Sequence, residues 1–171
     1  MRNAVARMAE LHAMHLSNLL STDLILPTIG ARSKAEVLET LAAHVESARP
    51  HIDRRVLEQA LHERERQSTT ALENGVAVPH VRLAHLPSPL AVLARAVTGI
   101  DCGAADGRPT QLFLLLIVAA EQPGSHLKLL ASAARLLSDP SCRSGLLEAP
   151  SAAEILGVVR AHELRSQRRA A

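Results

Sequence analysis

The most constraining stretch of this chain is Gln111–Ala119, QLFLLLIVA, in which every residue after Gln111 is apolar. The apolar run, which reaches Ala120, is far short of the roughly 20 residues that a membrane-spanning helix needs. A strand with one wet face would show a polar residue at every second position, and this one does not. It is therefore expected to be a central strand buried on both faces. That requirement points to an α/β domain of two or three layers around one core.

The rest of the sequence supplies the other elements. Leu24–Leu26 reads as a short strand, with Pro27 and Gly30 marking a turn after it. Ser33-Lys34-Ala35-Glu36 has the form of a capping box, so a helix begins there and carries Val37, Leu38, Leu41, Ala42 and Val45 on one face until Pro50. Asp53 caps a second helix whose expected buried stripe is Val56, Leu57, Ala60 and Leu61. Gly75–Pro79 reads as a short buried strand stopped by proline, with His80 just past its end. Leu90–Val97 is a longer strand, and Asp106-Gly107 marks a turn before the central one. Gly124-Ser125 opens a helix with Ser125 as its cap and Leu127, Leu130, Ala134 and Leu137 as its stripe. Asp139-Pro140 and Ser151-Ala152-Ala153-Glu154 begin two more helices, the last carrying Ile155, Leu156 and Val159.

Composition narrows the chemistry. In 171 residues there are nineteen basic and seventeen acidic side chains and one aromatic, Phe113. No charge excess drives nucleic-acid binding, and no stacking surface reads bases, so no nucleic-acid partner is expected. Residues 1–20 lack the apolar run of a secretory signal, so no membrane insertion is expected. Residues 1–13 read as a short amphipathic helix or an upstream start. Cys102 and Cys142 form no CxxC pair, which fits a reducing, cytoplasmic compartment.

Nine histidines are the natural place to look for chemistry. His12 and His15 are spaced for one helix face but lack accompanying ligands. His44, His51, His62 and His162 lie among charged residues and read as surface histidines. His80 and His85 flank Arg82 with no second ligand cluster. His80 stands apart because it is presented after the rigid Val78-Pro79 step, at the carboxyl end of a buried strand, where ligand sites concentrate in α/β sheets. An ordinary loop histidine would look the same. His126 falls in the first turn of a helix, near free backbone N–H groups that favour an anion. Arg64 offers a permanently charged fork suited to phosphate, with a salt bridge to Glu63 or Glu65 as the competing role.

Together, Arg64-Glu65, the segment Ser68-Thr69-Thr70-Ala71-Leu72-Glu73-Asn74-Gly75-Val76-Ala77-Val78-Pro79-His80 and the later Ser125-His126-Leu127 resemble the type 2 IIA domains of the bacterial phosphoenolpyruvate-dependent phosphotransferase system, the fructose/mannitol/nitrogen-related family. The resemblance extends through Asp101…Asp106-Gly107-Arg108-Pro109 and covers about residues 16–164. It implies a central mixed β-sheet flanked by helices on both faces. It also implies that His80 accepts a phosphoryl group from a histidine phosphocarrier protein, that Arg64 neutralises the phosphate and that His126 donates a hydrogen bond to it. Thr69 or Thr70 would add a hydroxyl contact. No metal and no cofactor are required. A neutral imidazole suffices as nucleophile, and the transfer needs chiefly in-line positioning and charge stabilisation.

The expected division is an N-terminal extension over 1–15, one IIA type 2 domain over 16–165 and a basic tail over 166–171. The leading function is a stand-alone, cytoplasmic, nitrogen-related regulatory IIA protein, with regulatory protein targets or a IIB domain as further partners. Its rivals are a IIA component feeding a fructose- or mannitol-class permease, and a non-catalytic interaction module. The last would be marked by Glu73 and Val81 where the family usually has glycines, with Glu73 setting a negative charge close to the phosphate. A metal hydrolase using His80, His85 and His126 is the distant third.

Overall fold

The computed structural model describes residues 15–121 and 123–170. The helix expected over residues 1–13 lies outside them. In chain order the elements are α1 (Leu16–Leu19), a 3-10 turn (Thr22–Leu24), β1 (Ile25–Leu26), α2 (Lys34–Ala48), α3 (Arg54–Gln67), β2 (Val76–Ala77), β3 (His80–Leu83), β4 (Leu90–Ile100), β5 (Thr110–Ala119), α4 (Pro123–Ser138), α5 (Pro140–Glu148) and α6 (Ala152–Ala170).

The stretch Gln111–Ala119 lies in β5, the centre of the sheet. Antiparallel β4 pairs with one side of it, and parallel β2 and β3 pair with the other, while β1 lies parallel on the far edge of β4. Alternation along β5 divides its side chains between two cores. Phe113, Leu115 and Ile117 pack with Leu41 and Val45 of α2 and Leu57 and Leu61 of α3. Leu112, Leu114, Leu116 and Val118 pack with Leu129 and Leu136 of α4, Leu146 of α5 and Ile155 and Val159 of α6. Each such side chain contributes about 1.5–3 kcal/mol on burial, which is why an all-apolar strand settles where both faces are covered. The result is a three-layer α/β domain with a mixed sheet.

Helix starts follow the capping chemistry. Ser33 Oγ accepts the Glu36 N–H at 3.2 Å, Asp53 Oδ1 that of Val56 at 3.0 Å, and Asp139 Oδ1 those of Ser141 and Cys142 at 2.8 and 3.3 Å. Ser151 Oγ accepts the Glu154 N–H at 3.2 Å.

Four expectations are corrected. Val56 is 56% exposed, because α3 buries only the narrower stripe of Leu57 and Leu61. On α4 the buried stripe is Leu129, Ala133, Leu136 and Leu137, whereas Leu127 is 71% exposed and Ala134 is also exposed. Several apolar stripes are compatible with that sequence, and contact with α1 and α6 selects one. Ser125 is the third residue of α4 and not its cap, since the helix starts at Pro123, whose missing N–H costs nothing there. His162 is buried at 7% exposure, with Nδ1 3.3 Å from Asp139 Oδ2, because α6 packs on the N-terminus of α5.

Candidate functional site

The site is built on the edge of the sheet. Val76 pairs with Leu112 and His80 with Leu116, the same offset of 36 residues on both sides of Pro79. β2 and β3 are therefore one edge strand interrupted at Val78-Pro79, whose Pro79 carbonyl still accepts the Leu116 N–H at 2.9 Å. This corrects the expectation that the strand stops and leaves His80 beyond its end. A proline is tolerated here because the strand is at an edge.

That placement sets the imidazole. His80 Nδ1 lies 2.8 Å from the Val78 carbonyl, which can only accept, so Nδ1 carries the proton. The lone pair is then on Nε2, and Arg64 donates its Nε hydrogen to that atom at 3.0 Å. Arg64 Nη1 also donates to the Ser68 carbonyl at 2.8 Å, so the guanidinium is anchored at two points. Arg64 comes from α3, on one side of the sheet. From the other side α4 brings His126, whose ring centroid is 5.3 Å from that of His80. His126 remains in the first turn of its helix, where backbone N–H groups have no intrahelical acceptor. Its Nδ1 is buried without a hydrogen-bond partner.

Burial, and then the cations Arg64 and Arg82, push the His80 imidazole below its ordinary range against the pull of the Val78 carbonyl and of the Glu65 charge. Burial comes first for His126 too, followed by His80, Arg82 and Arg64, and it is also lowered. Both rings are consequently biased toward the neutral form, as a nucleophile requires. The three residues open on a cleft of about 420 Å³, also lined by Ala60, Glu63, Gln67, Val81 and Arg82.

Arg82 is the residue that sequence reasoning passed over. Positions 80 and 82 of a strand share a face, so the His-x-Arg spacing was a usable signal once His80 was known to lie in a strand. Thr69 and Thr70 are not at the cleft. The Thr69 hydroxyl donates to the Cys102 carbonyl at 3.1 Å and accepts from Lys34 at 3.0 Å, while the Thr70 hydroxyl donates to Glu65 at 2.6 Å. Both hydroxyls are engaged in these bonds. Nor does Arg64 pair with Glu63 or Glu65: Glu63 bonds Arg66, and Glu65 bonds Lys34.

Glu73 is also placed differently from expectation. Leu72 N–H bonds the Val76 carbonyl and Val78 N–H the Thr70 carbonyl, forming a small hairpin with exposed Glu73 at its tip. His80 lies at the opposite end, four strand residues beyond Val76, or about 13 Å away. Val81 points into the core shared with α2 and α3. His85 follows β3 and does not line the cleft, and among the described residues no three His, Cys, Asp or Glu side chains are grouped to hold a metal ion.

A family model described as phosphoenolpyruvate-dependent sugar phosphotransferase system, EIIA 2, matches residues 18–161. A nitrogen regulatory protein of Bradyrhizobium diazoefficiens is 35% identical over 146 residues, which cover 85% of this chain and 95% of that protein. The fructose-specific EIIABC component of Bacillus subtilis is 28% identical over 150 residues, and the match spans 88% of this chain but only 24% of that longer protein. The crystal structure of the nitrogen regulatory protein IIA-Ntr from Neisseria meningitidis superposes with a TM-score of 0.78 at 26% identity, covering 84% of this chain and 97% of that one.

Proposed function

The chain belongs to the EIIA type 2 family of the phosphoenolpyruvate-dependent sugar phosphotransferase system, and from that premise we propose that it is a nitrogen-related regulatory IIA protein, phosphorylated on Nε2 of His80 by a histidine phosphocarrier protein. The observation that carries this reading is the state of the His80 ring. Its proton is held on Nδ1 by the Val78 carbonyl, and its lone pair on Nε2 is turned toward Arg64 and an open cleft.

In the transfer, the Nε2 lone pair of His80 attacks the phosphorus of the donor phosphohistidine. A new N–P bond forms, and the donor N–P bond breaks with its electron pair returning to the donor imidazole. The donor ring, protonated on its other nitrogen, leaves as a neutral imidazole, while the Nδ1 proton of His80 stays against the Val78 carbonyl, so His80 takes over the imidazolium charge and no general base is needed. Arg64 slides its donors from Nε2 to the phosphoryl oxygens, and His126 and the first N–H groups of α4 meet the remaining charge. Arg82 adds a second cation at the cleft.

The regulatory branch is favoured by the 35% identical nitrogen regulatory protein, which the chain matches over nearly its full length. A second reading, a IIA component that passes its phosphate to a fructose-class permease, draws on the 28% identity to a fructose-specific EIIABC component. Incubation with a phosphoenolpyruvate-driven donor pair should give an acid-labile mass gain of one phosphate, lost in His80→Ala. Persistence of the gain in that variant would overturn the assignment. Adding a fructose-class IIB domain to the phosphorylated protein separates the two readings: the regulatory reading expects the phosphate to stay, and the permease reading expects it to be drained.

A further inference from the structure

Glu65 is adjacent to Arg64 in sequence and touches neither imidazole, yet it is among the most heavily bonded carboxylates near the cleft. Its side chain is nearly buried, at 11% exposure. Oε1 accepts from Lys34 Nζ at 2.7 Å and from the Thr70 N–H at 3.1 Å, and Oε2 accepts from the Thr70 hydroxyl at 2.6 Å. Burial alone would push its carboxyl up, but the bonds from Lys34 and Thr70 outweigh it and hold the group below the usual carboxylate range.

These bonds end on the segment that controls Arg64. Successive residues of an α-helix are turned about 100° apart, so Arg64 faces β3 while Glu65 faces the start of α2. The chain leaves α3 at Gln67, and Ser68 then offers its carbonyl to Arg64 Nη1 at 2.8 Å. Thr69 is fixed to the Cys102 carbonyl and to Lys34, and Thr70 is fixed to Glu65. The Ser68 carbonyl is thereby held between a helix end and two anchored residues. Because a guanidinium is a rigid fork, placing Nη1 on Ser68 also sets where Nε points.

We infer that Glu65 is a positioning residue: with Lys34 and Thr70 it clamps the Ser68–Thr70 segment, so that the Ser68 carbonyl holds Arg64 against Nε2 of His80. Its importance for transfer rests on the phosphoryl-acceptor reading above, while its effect on the Arg64–His80 contact does not. A misplacement of about 1 Å at a reacting centre is enough to cost on the order of a hundredfold in rate.

The test uses the full chain as Glu65→Gln and, because that variant can fold poorly, as Thr70→Val, which keeps every charge and removes one donor. Two quantities are read. One is single-turnover phosphoryl transfer from the phosphocarrier as a function of its concentration. The other is the NMR signal of the Arg64 Nε–H bonded to His80 Nε2, recorded without any donor. Glu65→Gln should slow the transfer step by about tenfold or more, with half-saturation unchanged, and should lose the Arg64 signal. Thr70→Val should move both in the same direction by less. Wild-type transfer in folded Glu65→Gln, or slowed transfer with the Arg64–His80 signal intact, overturns the inference. If the wild-type chain takes no phosphate, the functional reading fails, and the NMR signal alone decides whether Glu65 positions Arg64.

Discussion

Arg64 donates its Nε hydrogen to Nε2 of His80 at 3.0 Å, which brings a permanent cation into contact with the very lone pair that the proposed reaction uses. The contact adds to burial in favouring the neutral imidazole, and it pre-positions charge compensation. It also has to be surrendered during transfer, since one lone pair cannot serve both a hydrogen bond and a new N–P bond. Arg64→Lys therefore tests more than charge. A lysine ammonium cannot span Nε2 and the Ser68 carbonyl in one plane, so transfer should fall by about a hundredfold despite the retained positive charge. Single-turnover phosphorylation measures this directly, and a rate within twofold of wild type would contradict it.

The two imidazoles make stability depend on acid. Both are lowered from the ordinary 6.5, so between their folded values and about 6.5 the unfolded chain binds more protons than the folded one. Their contribution is therefore complete above about pH 6.5 and declines as the pH falls below it. Urea unfolding at pH 7.5 and 5.5 should show this loss, and a double His80→Gln, His126→Gln variant should show less of it.

Arg82 depresses both histidines and lines the cleft without forming part of an ion pair among the described residues. Arg82→Ala should raise the titration midpoints of His80 and His126 together, followed by ring-proton NMR. It should also slow phosphorylation by about tenfold through the lost charge. Midpoints that stay still would place Arg82 outside the site's electrostatics.

Arg95 is a buried cation on β4 that forms no ion pair among the described residues. Its guanidinium bonds the carbonyls of Leu146, Leu147 and Ala149 at 3.0, 2.7 and 2.8 Å, closing the C-terminal end of α5, and that of Pro27 at 2.7 Å. Arg95→Met would strand these acceptors and should destabilise the fold by at least about 3 kcal/mol. Equilibrium denaturation reads the loss; a change under 1 kcal/mol (about a fivefold shift in the folding constant) would show that the carbonyls find other donors.

Glu73 sits at an exposed hairpin tip, away from His80. Glu73→Gly should therefore change the phosphorylation rate by less than about twofold, as expected for a screened charge more than a Debye length away. A large gain would revive the view that this residue blocks the site.

Periodicity and local chemistry were enough to specify the helix starts at Ser33, Asp53, Asp139 and Ser151, and the central place of β5, because capping bonds and strand alternation involve residues close in sequence. The pairing of His80 with Arg64 and His126 was legible only as a motif resemblance, since 16 and 46 residues separate them and no local rule brings them together. Tertiary packing decided the rest. It continued the edge strand through Pro79 by bonding the Pro79 carbonyl to the Leu116 N–H, which turned Arg82 toward the cleft. It drew Thr69 and Thr70 away to Cys102 and Glu65, and it selected which stripe of α4 is buried. A hydroxyl, an arginine or a helix face has several acceptable partners in sequence, and only the arrangement of neighbouring layers determines which one is within reach.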